Sequence, residues 1–134
     1  MNVETFLQSF CEWALEQPDI EGVALVGSHA RKTAGPNSDV DLMILTTARS
    51  RYFDDQNWLS RFGKVEQSEI ETWGRVETLR VFYSTGLEIE YGFAPLEWAA
   101  APIDPGTQRV VSDGFEVLLD RTYALMELLN NLPQ

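Results

Sequence analysis

Apolar residues at Val3, Phe6, Leu7, Phe10 and Ala14 recur at helical spacing, which predicts an amphipathic helix over residues 3–16. Gln17-Pro18-Asp19 ends it. Gly22-Val23-Ala24-Leu25-Val26 then reads as a short buried strand, followed by a short helix over 28–33 and a loop at Ala34-Gly35-Pro36-Asn37. Val40–Thr46 predicts a second strand, and 52–62, carrying Phe53, Trp58, Leu59 and Phe62, a second amphipathic helix. The middle is strand-rich. Val65–Trp73 alternates weakly, and Val76–Tyr83 and 87–93 form a hairpin about Ser84-Thr85-Gly86. In its second arm Leu87, Ile89, Tyr91 and Phe93 share one face, and Glu88, Glu90 and Gly92 share the other. Residues 95–99 read as a turn or short helix. Residues 109–111 and 115–119 predict a further small hairpin, because the Asp113-Gly114 pair between them is a favoured turn. Leu125, Met126, Leu128 and Leu129 place a closing helix over 122–132. No repeat or linker interrupts the chain. The pattern predicts one α+β domain over 1–134, a mixed β-sheet flanked by helices.

Composition narrows the class. The chain has 134 residues and is 44% hydrophobic, enough for a packed core and against disorder. No apolar run is long enough to span a bilayer, and Met1 to Gln8 lacks the basic start and apolar centre of a signal peptide, so a cytoplasmic protein is expected. Cys11 is the only cysteine, which excludes an intrachain disulfide and a cysteine-based zinc site. Its place on the first helix suits a small buried apolar residue. With 10 Lys+Arg against 21 Asp+Glu the net charge is −11, and no basic run occurs. Nucleic-acid polymers are met by basic surfaces, so neither DNA nor tRNA is expected as substrate. A cationic small acceptor or a basic partner protein would be drawn by such a field, which equally serves plain solubility.

The chemistry concentrates at Gly27-Ser28-His29-Ala30-Arg31 and Ser38-Asp39-Val40-Asp41-Leu42. Residues i and i+2 of a strand point to one face, so Asp39 and Asp41 sit side by side, next to the turn at Gly27-Ser28. Adjacent carboxylates repel unless a cation joins them. A divalent metal carrying a phosphate chain is the fitting partner, since Mg²⁺ takes a few carboxylates plus phosphate oxygens. The turn supplies N–H groups for those phosphates. Read alone, Gly27-Ser28 would be a plain strand-to-helix turn with Ser28 as cap; beside the two acids, turn and carboxylates serve one ligand.

At these residues the chain resembles the DNA polymerase β-like nucleotidyltransferase superfamily. The family pattern is Gly-Ser, then Ala-Arg-Gly, a short loop, and Ser-Asp-x-Asp-Leu. Every element stands here at the familiar spacing except the glycine after the arginine, which is Lys32. The resemblance implies a polymerase β palm-like fold and transfer of a nucleoside monophosphate, AMP from Mg²⁺-ATP, to an acceptor hydroxyl at a two-metal site. It implies a third acid on a later strand, for which Glu90 is the first choice and Glu88 the second. Both lie opposite the hairpin's apolar stripe. Asp39, Asp41 and Glu90 would then hold metal, and either glutamate could align or deprotonate the acceptor. Gly27 and Ser28 would bind the β- and γ-phosphates. Arg31 would either neutralise phosphate charge or form an ion pair with a motif acid, and Ser38 would orient the loop into the strand.

Lys32 implies that the short helix continues or that the loop enters differently, since glycine there allows a turn or a close approach. His29, the only histidine, sits at the variable motif position and reads as a surface residue. Trp13, Trp58 and Trp73 stand in periodic apolar contexts and read as core. Trp98, after the Glu90 strand, is the tryptophan placed to touch substrate. Antibiotic nucleotidyltransferases, which these motifs also resemble, carry an added helical domain for the acceptor. Here only the final helix follows, so the acceptor pocket would come from a homodimer partner, a second protein or the 95–119 region. Two further readings accompany the enzyme: an antitoxin-like protein pairing with a small helical toxin-like partner, which it could adenylylate, and a non-catalytic binding module that kept the fold.

Overall fold

The computed structural model describes residues 2–36 and 38–132, so Asn37 of the predicted loop lies outside the described residues. Helix α1 (Val3–Leu15) is capped by Asn2, whose side chain accepts from the Thr5 amide at 2.8 Å. Next come β1 (Ile20–Val26), α2 (Ser28–Arg31), β2 (Val40–Thr46) and α3 (Ser50–Asp54), then a 3-10 turn at Asn57–Phe62. Strands β3 (Val65–Trp73), β4 (Val76–Tyr83) and β5 (Glu88–Ala94) lead into α4 (Pro105–Ser112), β6 (Phe115–Asp120) and α5 (Ala124–Asn130). The six strands form one sheet in the order β3-β4-β5-β2-β1-β6. Among the described residues only β2 and β5 run parallel; the other pairs are antiparallel, which makes the sheet mixed as predicted. No helix among the described residues is long and apolar enough to cross a membrane.

Alternation along the central strands sorts two cores. Val23, Leu25, Leu42, Ile44, Ile89, Tyr91 and Phe93 face α1, α3 and the 3-10 turn, where Phe6, Phe10, Trp13, Tyr52, Trp58 and Phe62 pack edge and face on one another. Burying one such ring stabilises by about 1.5–3 kcal/mol. Ala24, Val26, Met43, Leu45, Val76 and Ala94 face the other way, against Trp98, Val111, Leu125 and Leu128. Asp41 and Glu90 share this second face by the same period of two. Helices cover only part of that face, and a cleft opens beside the two acids.

Four expectations need correcting. The helix over 52–62 is broken: Asp55 is extended (φ −130°) and its carboxylate accepts the Asn57 amide at 3.0 Å, an Asx turn that competes with helix. The hairpin over 109–119 does not form. Its first arm lies in α4, started by Asp104 as cap (2.8 Å from the Thr107 amide) and Pro105 at the first helical position, while β6 pairs with β1. The closing helix begins later, at Ala124, because both oxygens of Asp120 accept the Leu125 and Met126 amides. Trp73 is 65% exposed at the tip of the β3–β4 hairpin instead of core.

Candidate active site

Strand β1 hands the chain to α2 at Gly27, whose φ of +75° and ψ of −152° suit glycine alone. A Cβ there would land on Asp41 Oδ2. The reason is register: Val26 pairs with Asp41, so the next residue turns directly over that carboxylate. Asp39 stands one residue before β2, and Asp41 is paired with Glu90 across the parallel β2–β5 ladder. One oxygen from each of Asp39, Asp41 and Glu90 lies within 4.8 Å of the others. Glu88 stays outside this group, with its carboxylate 3.4 Å from Arg80 Nε.

Arg80, which the sequence reading did not single out, sits opposite Glu90 in the β4–β5 register. Its Nε donates to Glu90 Oε1 at 2.7 Å, and Nη2 reaches the same oxygen. Burial pushes the Glu90 carboxyl up, but hydrogen bonds with Asp41 and Arg80 outweigh it and hold the group below its ordinary range. Asp41 goes the other way. Burial, then the hydrogen bond and charge of Glu90 and the charge of Asp39, push it up to about 9. Asp39 is raised for the same reason, burial first and Glu90 next. Asp41 Oδ1 is buried without a hydrogen-bond partner among the described residues. Crowded carboxylates with an orphaned oxygen are suited to a hard divalent cation, which would replace the missing proton and partner.

Ser28 and Arg31 line the cleft beside the acids. Arg31 makes no ion pair with a motif acid among the described residues; its Nη1 donates to the Asp113 carbonyl at 2.7 Å, tying α2 to the α4–β6 turn. Ser38 Oγ accepts the Gly35 amide at 2.9 Å and shapes the loop entering β2. His29 Nε2 lies 3.5 Å from the Ser38 carbonyl, outside the cleft lining. Lys32 does not continue the helix: it takes the left-handed conformation a glycine would (φ +65°), and its amide points back to the His29 and Ser28 carbonyls. Trp98 is buried in the second core and forms inner wall. Trp73, Arg75, Thr107 and Arg109 also line the cleft, and the sequence reading missed all four. The Asp104-Pro105 cap-and-start pair was the signal that would have placed α4, and with it Thr107 and Arg109.

A family model for a nucleotidyltransferase domain matches residues 3–83, more than half of the chain. No curated protein matches. Among solved structures, an aminoglycoside 6-adenyltransferase from Bacillus subtilis superposes with a TM-score of 0.60 at 17% identity, over 74% of this chain and 37% of that one. The polymerase core of TRAMP, an RNA surveillance complex, superposes with a TM-score of 0.51 at 18% identity, over 67% of this chain and 30% of that one. The chain thus spans about a third of the length of these solved chains, and at such identities the likeness establishes a shared fold. With the Gly27-Ser28 turn and the Asp39-x-Asp41 strand inside the matched segment, the chain belongs to the nucleotidyltransferase domain family.

Proposed function

We propose that this chain is a Mg²⁺-dependent nucleotidyltransferase that moves AMP from ATP to a hydroxyl of a small molecule or partner protein. The observation that carries this reading is the convergence of Asp39, Asp41 and Glu90 within 4.8 Å beneath the Gly27 turn, with Asp41 Oδ1 left without a partner among the described residues. Mg²⁺ bound by these three carboxylates would supply activation of the attacking oxygen and charge neutralisation on the leaving pyrophosphate. Gly27 and Ser28 would hold the β- and γ-phosphates, with Arg31 beside them. Glu90, fixed by Arg80, would orient the acceptor hydroxyl and take its proton. The hydroxyl oxygen bonds to the α-phosphorus as the bond to the bridging oxygen breaks, and pyrophosphate leaves.

The acceptor would approach over the open part of the sheet beyond Glu90. There Glu69 and Glu71 of β3 share a face with Arg80 and Thr78 by register, next to Glu88. This surplus of carboxylate over the single Arg80 favours an acceptor that carries positive charge. The antibiotic named for the Bacillus relative belongs on the acceptor panel for that reason.

Calorimetry with ATP, with and without Mg²⁺, tests the site. Mg²⁺-dependent binding in wild type that disappears in Asp39→Asn and Asp41→Asn is expected, followed by label transfer from α-labelled ATP to an acceptor. Wild-type protein that binds no nucleoside triphosphate in the presence of Mg²⁺ would sink the reading.

A further inference from the structure

The acidic triad and Gly27 occupy one end of a cleft of about 890 Å³, and the rest of it has no assigned occupant. Its second wall is α4, which lies outside the family-matched segment. This helix is a bar about 12 Å long at 1.5 Å per residue, fastened at both ends. At its start Asp104 caps the Thr107 amide and ion-pairs with Arg75 of the β3–β4 hairpin tip. At its end the Asp113 carbonyl takes Arg31, and Gly114 lies so close that a Cβ would sit 2.9 Å from the Gly27 carbonyl. The helix therefore runs from the Gly27 turn to the hairpin tip.

The two ends differ in chemistry. Arg109 stands midway along α4, one turn before Asp113 (Asp113 amide to Arg109 carbonyl, 3.0 Å). It is exposed, lines the cleft, and has no ion pair or side-chain hydrogen bond among the described residues. Three of the chain's ten basic residues, Arg31, Arg75 and Arg109, line this one cleft, and of these Arg109 alone is uncommitted. Trp73 stands at the hairpin-tip end. It pairs with Val76, so its ring is on the Asp41 and Glu90 face of the sheet, and it is 65% exposed in the cleft lining. Val76, Met43 and Thr78 continue an apolar floor from the ring, and Gly92 keeps that floor low.

An exposed planar ring at one end, an amide turn at the other, an unpaired guanidinium midway along the wall and an apolar floor below suit a ligand with a flat ring and a polyanionic tail. We propose that α4 and the β3–β4 hairpin tip form the nucleoside subsite: the donor base stacks on Trp73, and Arg109 contacts the phosphates. This rests on the reading above that the acidic end takes a metal-bound triphosphate. Stacking on a tryptophan is tolerant of base identity, while the arginine reads only charge.

The test compares two probes, Mg²⁺-ATP and Mg²⁺-tripolyphosphate, by calorimetry, with GTP, CTP and UTP as further donors. Trp73→Ala is expected to weaken ATP binding about tenfold or more while leaving tripolyphosphate within about twofold, and Trp73→Phe to restore most of the loss. Arg109→Ala is expected to weaken both probes. Trp73→Ala that binds ATP like wild type, or that loses both probes alike, overturns the base assignment; Arg109→Ala that leaves tripolyphosphate untouched overturns the phosphate contact. Wild-type binding of tripolyphosphate that is lost in Asp41→Asn, together with a neutral Trp73→Ala, defeats the subsite alone. Wild type that binds neither probe defeats the nucleotidyltransferase reading and the subsite with it.

Discussion

At the scale of single residues, two backbone positions with positive φ decide how the motif is built. Gly27 must be glycine twice over, because its φ of +75° combined with a ψ of −152° excludes other residues and a Cβ would fall on Asp41 Oδ2. Gly27→Ala is therefore expected to cost about 1–3 kcal/mol of stability by strain and to abolish Mg²⁺-dependent ATP binding. Chemical denaturation and calorimetry on the same variant check both. Lys32 is the opposite case. It holds a left-handed conformation at φ +65° with a side chain, where its family has glycine. Left-handed geometry costs an ordinary residue about 1–2 kcal/mol, and glycine's extra unfolded-state entropy returns part of any gain. Lys32→Gly is expected to raise stability by about 0.5–1 kcal/mol with nucleotide binding unchanged, read as a higher denaturation midpoint at constant m-value. A loss of stability would mean that the lysine side chain makes a contact worth more than the strain.

At the scale of elements, Asp19 shows how a turn residue fixes strand ends and helix starts. It follows α1, and its carboxylate accepts from Thr46 Oγ1 at the end of β2 (2.6 Å) and from the Tyr52 hydroxyl of α3 (2.7 Å), while Arg51 pairs with it. Burial pushes this carboxyl up, but the two hydroxyls and Arg51 outweigh burial and hold it below the usual range. The folded state thus binds this proton less tightly than the unfolded chain. Its contribution is present in full above the ordinary Asp range and is lost as pH falls through the folded value. Asp19→Asn is expected to cost about 1–3 kcal/mol at pH 7, and the gap from wild type should close below about pH 4. Denaturation midpoints across that window measure it. The same scale explains what could be read from the sequence. Gly27 to Leu42 was legible because its spacing is local; the hairpin's alternation put Glu88 and Glu90 on one face, and the family resemblance ranked Glu90 first. Arg80 was available from that register, opposite Glu90, yet an isolated arginine in a strand carries no signal until the pairing is drawn. Helix α4 was missed because Arg109-Val110-Val111 has β-branched residues in a segment too short for periodicity, and the cap at Asp104 decided the outcome. Trp73 was misplaced because an aromatic at a strand end looks the same whether the next layer covers it or leaves a cleft.

At the scale of the whole molecule, the charge of −11 and the distribution of its few cations act together. Arg31, Arg75 and Arg109 gather in the cleft proposed for the anionic donor, while Glu69, Glu71 and Glu88 surround the open sheet proposed for the acceptor. Asp39, Asp41, Glu90, Asp104 and Asp113 line the same cleft, so it would favour the donor as its Mg²⁺ complex, whereas the open sheet presents carboxylate alone beside Arg80. Salt separates these effects from simple packing. The screening length falls from about 30 Å at 0.01 M salt to about 10 Å at 0.1 M, so attraction spread over exposed carboxylates fades across this range while contacts inside the cleft persist. For a cationic acceptor, kcat/KM is expected to fall several-fold over that interval; for a neutral hydroxyl acceptor of similar size it should hold or rise slightly. Replacing Glu69 and Glu71 by glutamine should flatten the cationic acceptor's salt dependence, with the Kd for Mg²⁺-ATP unchanged, because neither glutamate belongs to the carboxylate triad. A cationic acceptor whose kcat/KM ignores salt would show that it is held by close polar contacts instead of by the field. The excess of acid over base would then serve solubility, and the acceptor's charge would have to be read at a pocket rather than across the sheet.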